Sequence, residues 1–325
     1  MKTILITGAT GCIGGLLARK ILCACGGEEA VGKLLLLVRD EKKARELLEA
    51  ELRDTQIEVC FIECSLEHLT SDQISGPVDY IIHCAAATDS SYMIFNPVET
   101  ADGIVLGTCN ILKLAREKQI KSMVYLSSME VYGSVSDIGR PRREEELGEV
   151  MLDSVRSCYP LGKRMAEHYC FLYAKEYGVP VKIARLAQTF GMGTRKEDNR
   201  VYMQFARAAR EGRNIVLKTQ GTSYGNYCAT DDAVNAIFLL LEKGVDGEVY
   251  NVVREENTMS IKEMAELVAE KIAGGKISVR IELEDSTKTG YAPDTRLRLS
   301  GEKMRALGWE PVKDLVQMYR EIDML

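Results

Sequence analysis

Short aliphatic runs alternate along the first 190 residues with longer stretches in which apolar residues recur every three or four positions. The runs at 2–7, 33–38, 57–62, 78–83, 121–127 and 181–186 are almost continuously apolar, as parallel strands covered on both faces must be. Between them, residues 13–22, 41–54, 102–118 and 162–177 keep one apolar face at helical spacing. Strand and helix in this alternation predict an α/β fold with a doubly wound parallel sheet.

The rhythm breaks after Phe190. Residues 191–200 read as a loop and 201–211 as a helix; 231–242 reads as a helix with an Asp N-cap and Gly244 just past its end. A strand is expected at 248–253. Ser260 and Glu263 have the spacing of a capping box and open a helix that reaches residue 273. A last short helix is expected near 300–307. Two domains follow: a sheet-bearing one over 1–190, and a smaller α/β lobe over 191–325, mainly for substrate, with segments that return to the sheet.

Composition narrows the function. The 325 residues are 46% hydrophobic and 28% charged, as suits a globular chain able to bury an adequate core. A net charge of −6 supplies no basic face for nucleic-acid phosphates, so that partner is not expected. Ten cysteines are scattered without a CxxC pair and histidines number only three, so no metal site is expected. The chain opens directly on a strand-like run, and no apolar stretch is long enough to span a bilayer. A cytoplasmic protein with free thiols and no membrane partner is the expectation.

The turn Thr7–Gly8–Ala9–Thr10–Gly11–Cys12–Ile13–Gly14 joins the first strand to the first helix. Glycines at 8, 11 and 14 permit a tight turn, close approach of pyrophosphate to backbone, and close helix–strand packing. The helix start supplies N–H groups for the anion. Gly8, Thr10, Gly11, Cys12, Ile13 and Gly14 are therefore candidate contacts for a dinucleotide, NAD or NADP; the alternative is a plain strand–helix turn. After strand two, Arg39 and Asp40 give a mixed signal, since an acid there suits the ribose of NAD and a base the 2′-phosphate of NADP.

Tyr159 and Lys163, four residues apart, share one helix face. An ammonium beside a phenol favours the phenolate, so the tyrosine can exchange a proton with an alcohol while hydride moves. Ser127 and Ser128 close the preceding strand, where ligands bind in such sheets. The turn at 7–14, His83–Cys84–Ala85–Ala86, Ser128–Met129–Glu130–Val131–Tyr132–Gly133 and the Tyr159/Lys163 pair stand in the order of the extended short-chain dehydrogenases. The chain resembles that family over essentially its whole length, including Leu307–Gly308–Trp309–Glu310–Pro311, which is similar to the tail of nucleotide-sugar epimerases and dehydratases. The stretch Arg156–Ser157–Cys158–Tyr159, Gly162–Lys163–Arg164, Ala166–Glu167 is very similar to the catalytic segment of UDP-glucuronate decarboxylases.

The resemblance implies a Rossmann-type fold and catalytic roles for Ser128, Glu130, Tyr159 and Lys163. It further implies cofactor contacts at Ser65, Leu66, Ala85, Ala86 and Ala87, and substrate contacts at Thr88, Ser128, Met129, Gln188 and Arg296. The substrate would be a nucleotide sugar, oxidised transiently at carbon 4 for decarboxylation, epimerisation or dehydration, in a homodimeric enzyme. Met129 stands where dehydratases keep an aspartic acid, and it has no proton to donate. Gln188 replaces an asparagine and Gly225 an arginine that relatives use on the diphosphate, while Cys64–Ser65 stand where an adenine-binding aspartate is usual. These departures keep two alternatives open: an NADPH-dependent reductase of a small carbonyl compound, and a non-catalytic dinucleotide sensor.

Overall fold

The aliphatic runs assemble into a seven-stranded sheet in the computed structural model, which describes residues 1–24, 31–135, 139–283 and 296–322. Its strands are β1 (Lys2–Thr7), β2 (Val31–Val38), β3 (Glu58–Glu63), β4 (Tyr80–His83), β5 (Ser122–Ser128), β6 (Val181–Leu186) and a seventh, Val249–Val252, beside β6. β1 pairs in parallel with both β2 and β4, placing Leu5 between Leu35 and Ile81. The pairs β2–β3, β4–β5 and β5–β6 are parallel as well. The order β6-β5-β4-β1-β2-β3 reverses direction at β1, which leaves a crevice beyond the C-terminal ends of β1 and β4.

Helices cover the sheet: α1 (Cys12–Leu22), α2 (Glu41–Leu47), α3 (Glu49–Asp54), α4 (Ser90–Phe95), α5 (Pro97–Lys118) and α6 (Cys158–Tyr177). The continuous helix expected at 41–54 is two helices, because Leu48 leaves helical geometry (φ −112°, ψ 13°) while burying its side chain. α5 starts five residues before the expected 102, with Pro97 at a first-turn position that needs no N–H. α5 and α6 pack side by side, Gly162 lying against Ile104, over a core that includes Ile111, Leu112, Met123, Cys170 and Ile183.

The chain divides into two compact units, neither continuous in sequence. The sheet-bearing unit is Met1–Gly133, Val150–Leu186 and Val234–Tyr250; the second is Ser134–Glu149, Ala187–Ala233 and Asn251–Leu325. Sequence rhythm alone does not reveal that residues 134–149 leave the first unit. The second unit packs helices Val201–Arg210, Ile261–Leu267 and Leu315–Arg320 about stacked Phe190 and Tyr202, with Tyr227 and Tyr319 edge-on to Phe190. The Ser260–Glu263 capping box forms with both of its hydrogen bonds, at 2.7 and 3.1 Å. The helix Leu315–Arg320 was not expected; Asp314 caps it by accepting from the Gln317 amide. Among the described residues no helix is long and apolar enough to cross a membrane, and no His, Cys, Asp and Glu side chains cluster as metal ligands.

Candidate active site

The turn between β1 and α1 admits only glycine at two positions. Gly8 has φ +72°, and a Cβ on it would lie 2.9 Å from the backbone of Ala85. A Cβ on Gly14 would overlap the Gly8 carbonyl oxygen. The Gly11 amide donates to that same oxygen at 2.8 Å and closes the turn. Gly11 offers no side chain to cap α1, so no cap competes with an anion for the first-turn amides. These features fit a dinucleotide pyrophosphate, with half-buried Thr10 and Cys12 and buried Ile13 around it.

At the end of β2 the mixed pair resolves into two roles. The Asp40 carboxylate caps α2, accepting from the Lys43 amide at 2.9 Å. Arg39 is exposed and has no ion pair or hydrogen bond among the described residues. After β3, the Ser65 hydroxyl donates to the Glu67 carboxylate, and the Leu66 side chain is buried against Gly107, so Leu66 has only backbone to offer a ligand. Ala85, Ala86 and Ala87 are half-buried beyond β4, and Thr88 is exposed.

The candidate catalytic groups gather at the end of β5. Ser128 terminates the strand, and its hydroxyl accepts from the Glu130 amide at 3.2 Å, starting the 3-10 turn Met129–Tyr132. Tyr159 and Lys163 project from the first two turns of α6, both buried. The Lys163 ammonium donates to the Leu126 carbonyl at 2.7 Å and lies 5.9 Å from the centre of the Tyr159 ring. Burial pushes its pKa down to about 8, opposed by the nearby Glu167 carboxylate. Glu130 is 41% exposed and paired with Arg156 at 2.9 Å; the Arg156 guanidinium lies 5.6 Å from the Tyr159 ring centre. Arg156 stood in the recognised stretch without a role, and only its distance to the ring and to Glu130 gives it one.

Two buried networks hold these elements. The Thr7 hydroxyl oxygen accepts from the Cys84 and Ala85 amides, both at 3.1 Å, which leaves its hydrogen for His83 Nδ1 at 2.7 Å. His83 Nε2 then carries the ring hydrogen and donates to Thr108 of α5 at 3.1 Å. The neutral ring thus ties β1, β4 and α5 together beneath the glycine turn. In the second network, Arg185 of β6 forms a two-pronged pair with Glu167 of α6 (2.9 and 2.7 Å) and donates to the Tyr132 hydroxyl at 3.1 Å. It fixes the turn that carries Glu130 to the helix that carries Tyr159.

Residues 4–253 match the model of the NAD dependent epimerase/dehydratase family. The chain belongs to that family. It is 30% identical to UDP-glucuronic acid decarboxylase 1 of Xenopus tropicalis over 97% of this chain and 69% of the relative. It is 28% identical to UDP-glucuronic acid decarboxylase 6 of Arabidopsis thaliana over 95% of this chain and 84% of the relative. The structure of UDP-glucose 4-epimerase from Thermotoga maritima superposes with a TM-score of 0.79 at 22% identity, covering 98% of this chain and 96% of the other. These relatives favour a nucleotide-sugar enzyme over the carbonyl-reductase and sensor alternatives.

In the second unit, Gly225 has no space for a side chain. A Cβ there would overlap the Tyr227 hydroxyl, so an arginine has no room while Tyr227 keeps its place in the aromatic core. Gln188 is half-buried, its backbone N–H donating to the Asn226 main-chain carbonyl at 2.9 Å. Arg296 is exposed, and the adjacent Leu297 carbonyl accepts from the Asn226 side chain at 2.8 Å.

Proposed function

We propose that the enzyme oxidises carbon 4 of a nucleotide sugar transiently and that decarboxylation of a uronate is its reaction. The observation that carries this reading is the gathering of Ser128, Glu130, Tyr159 and Lys163 at the end of β5, with Met129 in their midst. The glycine turn with Thr10, Gly11, Cys12 and Ile13 would hold the cofactor pyrophosphate, and Ser65, the Leu66 backbone, Ala85, Ala86 and Ala87 would flank the remainder. NAD(P), when bound, supplies a place for a hydride and returns it. Ser128 orients the sugar, with Met129 and Thr88 beside it. Tyr159 takes the proton of the carbon-4 hydroxyl, and the Lys163 ammonium stabilises the resulting phenolate.

A ketone at carbon 4 stands β to the carboxylate on carbon 5. Carbon dioxide can then leave while the electron pair of the broken bond delocalises onto the ketone oxygen; carbon 5 would next gain a proton from solvent, and carbon 4 would regain its hydride from the cofactor and its hydroxyl proton from Tyr159. Loss of water fits less well, because Met129 cannot protonate a leaving hydroxyl. Glu130 would orient the sugar for loss of carbon dioxide. The half-exposed and buried thiols, none paired among the described cysteines, suit a cytoplasmic setting. A homodimer is supported by the neighbouring faces of α5 and α6, which expose Val98, Leu106, Met165 and Phe171.

The test is to give the NAD-loaded protein UDP-glucuronate. Carbon dioxide and a nucleotide pentose should form without net NADH, and Tyr159→Phe should lower the rate by about 10²–10⁴ while NAD binding persists. A Phe variant that keeps more than about a tenth of the rate removes Tyr159 from the chemistry. Stoichiometric NADPH consumption with a simple ketone, and none of the sugar reaction, would overturn the reading.

A further inference from the structure

Three helical segments of the second unit end around one cavity of about 400 Å³. They are Val201–Arg210, the π-helical turn Val268–Ile272 that continues Ile261–Leu267, and Leu315–Arg320. The π-helical turn packs against the other two. Each segment has a cation in its last turn, and Arg210, Lys271 and Arg320 line the cavity together with Ala209 and Ile272. A cation at a helix C-terminus ordinarily offsets the helix dipole and points into water. Two observations go further. The Ala273 amide donates to the Val268 carbonyl at 2.9 Å, five residues back, and such widened turns are rare and frequent at functional sites. Neither Arg210 nor Arg320 has a hydrogen bond or ion pair among the described residues. Glu211 is taken by Arg213 and Glu321 by Lys313, while Glu270 answers Lys271 at 2.6 Å. Two forked cations are thus left unanswered in a chain of net charge −6.

We propose that this cavity binds a small phosphate ester, its phosphate held by Arg210, Lys271 and Arg320 and its organic part resting on Ala209 and Ile272. Guanidinium forks match phosphate oxygens two at a time, and like cations gathered at one cavity repel until an anion joins them. The volume falls in the range of small-molecule sites, about 300–1,000 Å³, and exceeds what an inorganic ion fills. Three cations suit one dianionic group, not the repeated phosphates of a nucleic acid. Every lining residue belongs to the second unit, and none is among those assigned to cofactor or sugar. The site is therefore additional to the proposed catalytic one. A ligand there joins the ends of three helical segments and stabilises the unit that contains them.

Calorimetric titration of the NAD-loaded protein with glucose 6-phosphate and with AMP tests this, the resident NAD keeping AMP out of the cofactor crevice. Sulfate at equal ionic strength controls for unspecific attraction. Wild type should bind at least one of the two esters more tightly than sulfate. Arg210→Gln combined with Arg320→Gln should weaken that ester about tenfold or more and leave NAD affinity unchanged. Both arginines are exposed, so these substitutions leave the core intact. Arg210→Lys with Arg320→Lys, which keeps charge and loses the forks, should fall between. Hydrogen exchange locates the ligand: amides of 207–213 and 269–276 should slow in wild type and not in the Gln variant. Equal affinity in wild type and the Gln variant, or slowing confined to other segments, overturns the site. So does a wild-type protein that holds neither ester better than sulfate.

Discussion

Arg39 and Asp40 illustrate what one residue's local bonding decides. As neighbours in sequence they point to opposite cofactors, but the Asp40 carboxylate is committed to the Lys43 amide, which leaves Arg39 available. The expected outcome is that Arg39→Ala weakens NADP more than NAD by about 10–100-fold, the worth of a charge-assisted hydrogen bond. Titration of both cofactors against both proteins checks it; equal losses would mean that Arg39 reads no phosphate. The positive φ of Gly8, the closeness of Gly14 to Gly8 and the Tyr159/Lys163 spacing were legible in sequence because each has a local geometric reason. The Arg156–Glu130 pair, 26 positions apart, was not, since nothing local signals a contact between two separate 3-10 turns.

Among elements, the strands of the main sheet were read well, the short strands outside it were not, and helix ends were read less closely. β1 and β6 match their expected limits because aliphatic runs buried on both faces end abruptly. The break at Leu48 and the early start of α5 depend on tertiary burial that periodicity does not carry. The His83 bridge between β1, β4 and α5 has a measurable consequence. Burial, aided by the Lys163 charge, pushes the His83 pKa down from 6.5 to about 3, so the folded state binds no proton there across a range where the unfolded chain does. Its contribution is complete above pH 6.5 and is lost as pH falls toward 3, up to the order of 5 kcal/mol. Urea unfolding between pH 7 and pH 4.5 should show a steeper loss for wild type than for His83→Asn. Parallel slopes would mean that His83 is protonated in the fold without penalty.

For the molecule as a whole, sequence alternation gave the sheet and its crevice, because each βα repeat writes its own periodicity. The excursion of residues 134–149 into the second unit was hidden, since that segment has neither strand nor helix rhythm. The proposed homodimer would use the apolar side chains that α5 and α6 leave uncovered. Charges placed there, Leu106→Asp with Phe171→Glu, should convert a dimer to monomers in sedimentation velocity; wild-type protein that already sediments as a monomer would exclude the dimer.

The position of Val249–Val252 at the β6 edge matters before the protein is complete. That strand leaves the ribosome about sixty residues after β6, some seconds at roughly 5–20 residues per second. Throughout that interval β6 is an open edge, and neighbouring ribosomes on one message hold the same edge side by side. Translation speed between residues 187 and 248 thus governs how often nascent chains pair with each other. Slow synonymous codons in that stretch should lower the yield of folded enzyme without changing a single amino acid.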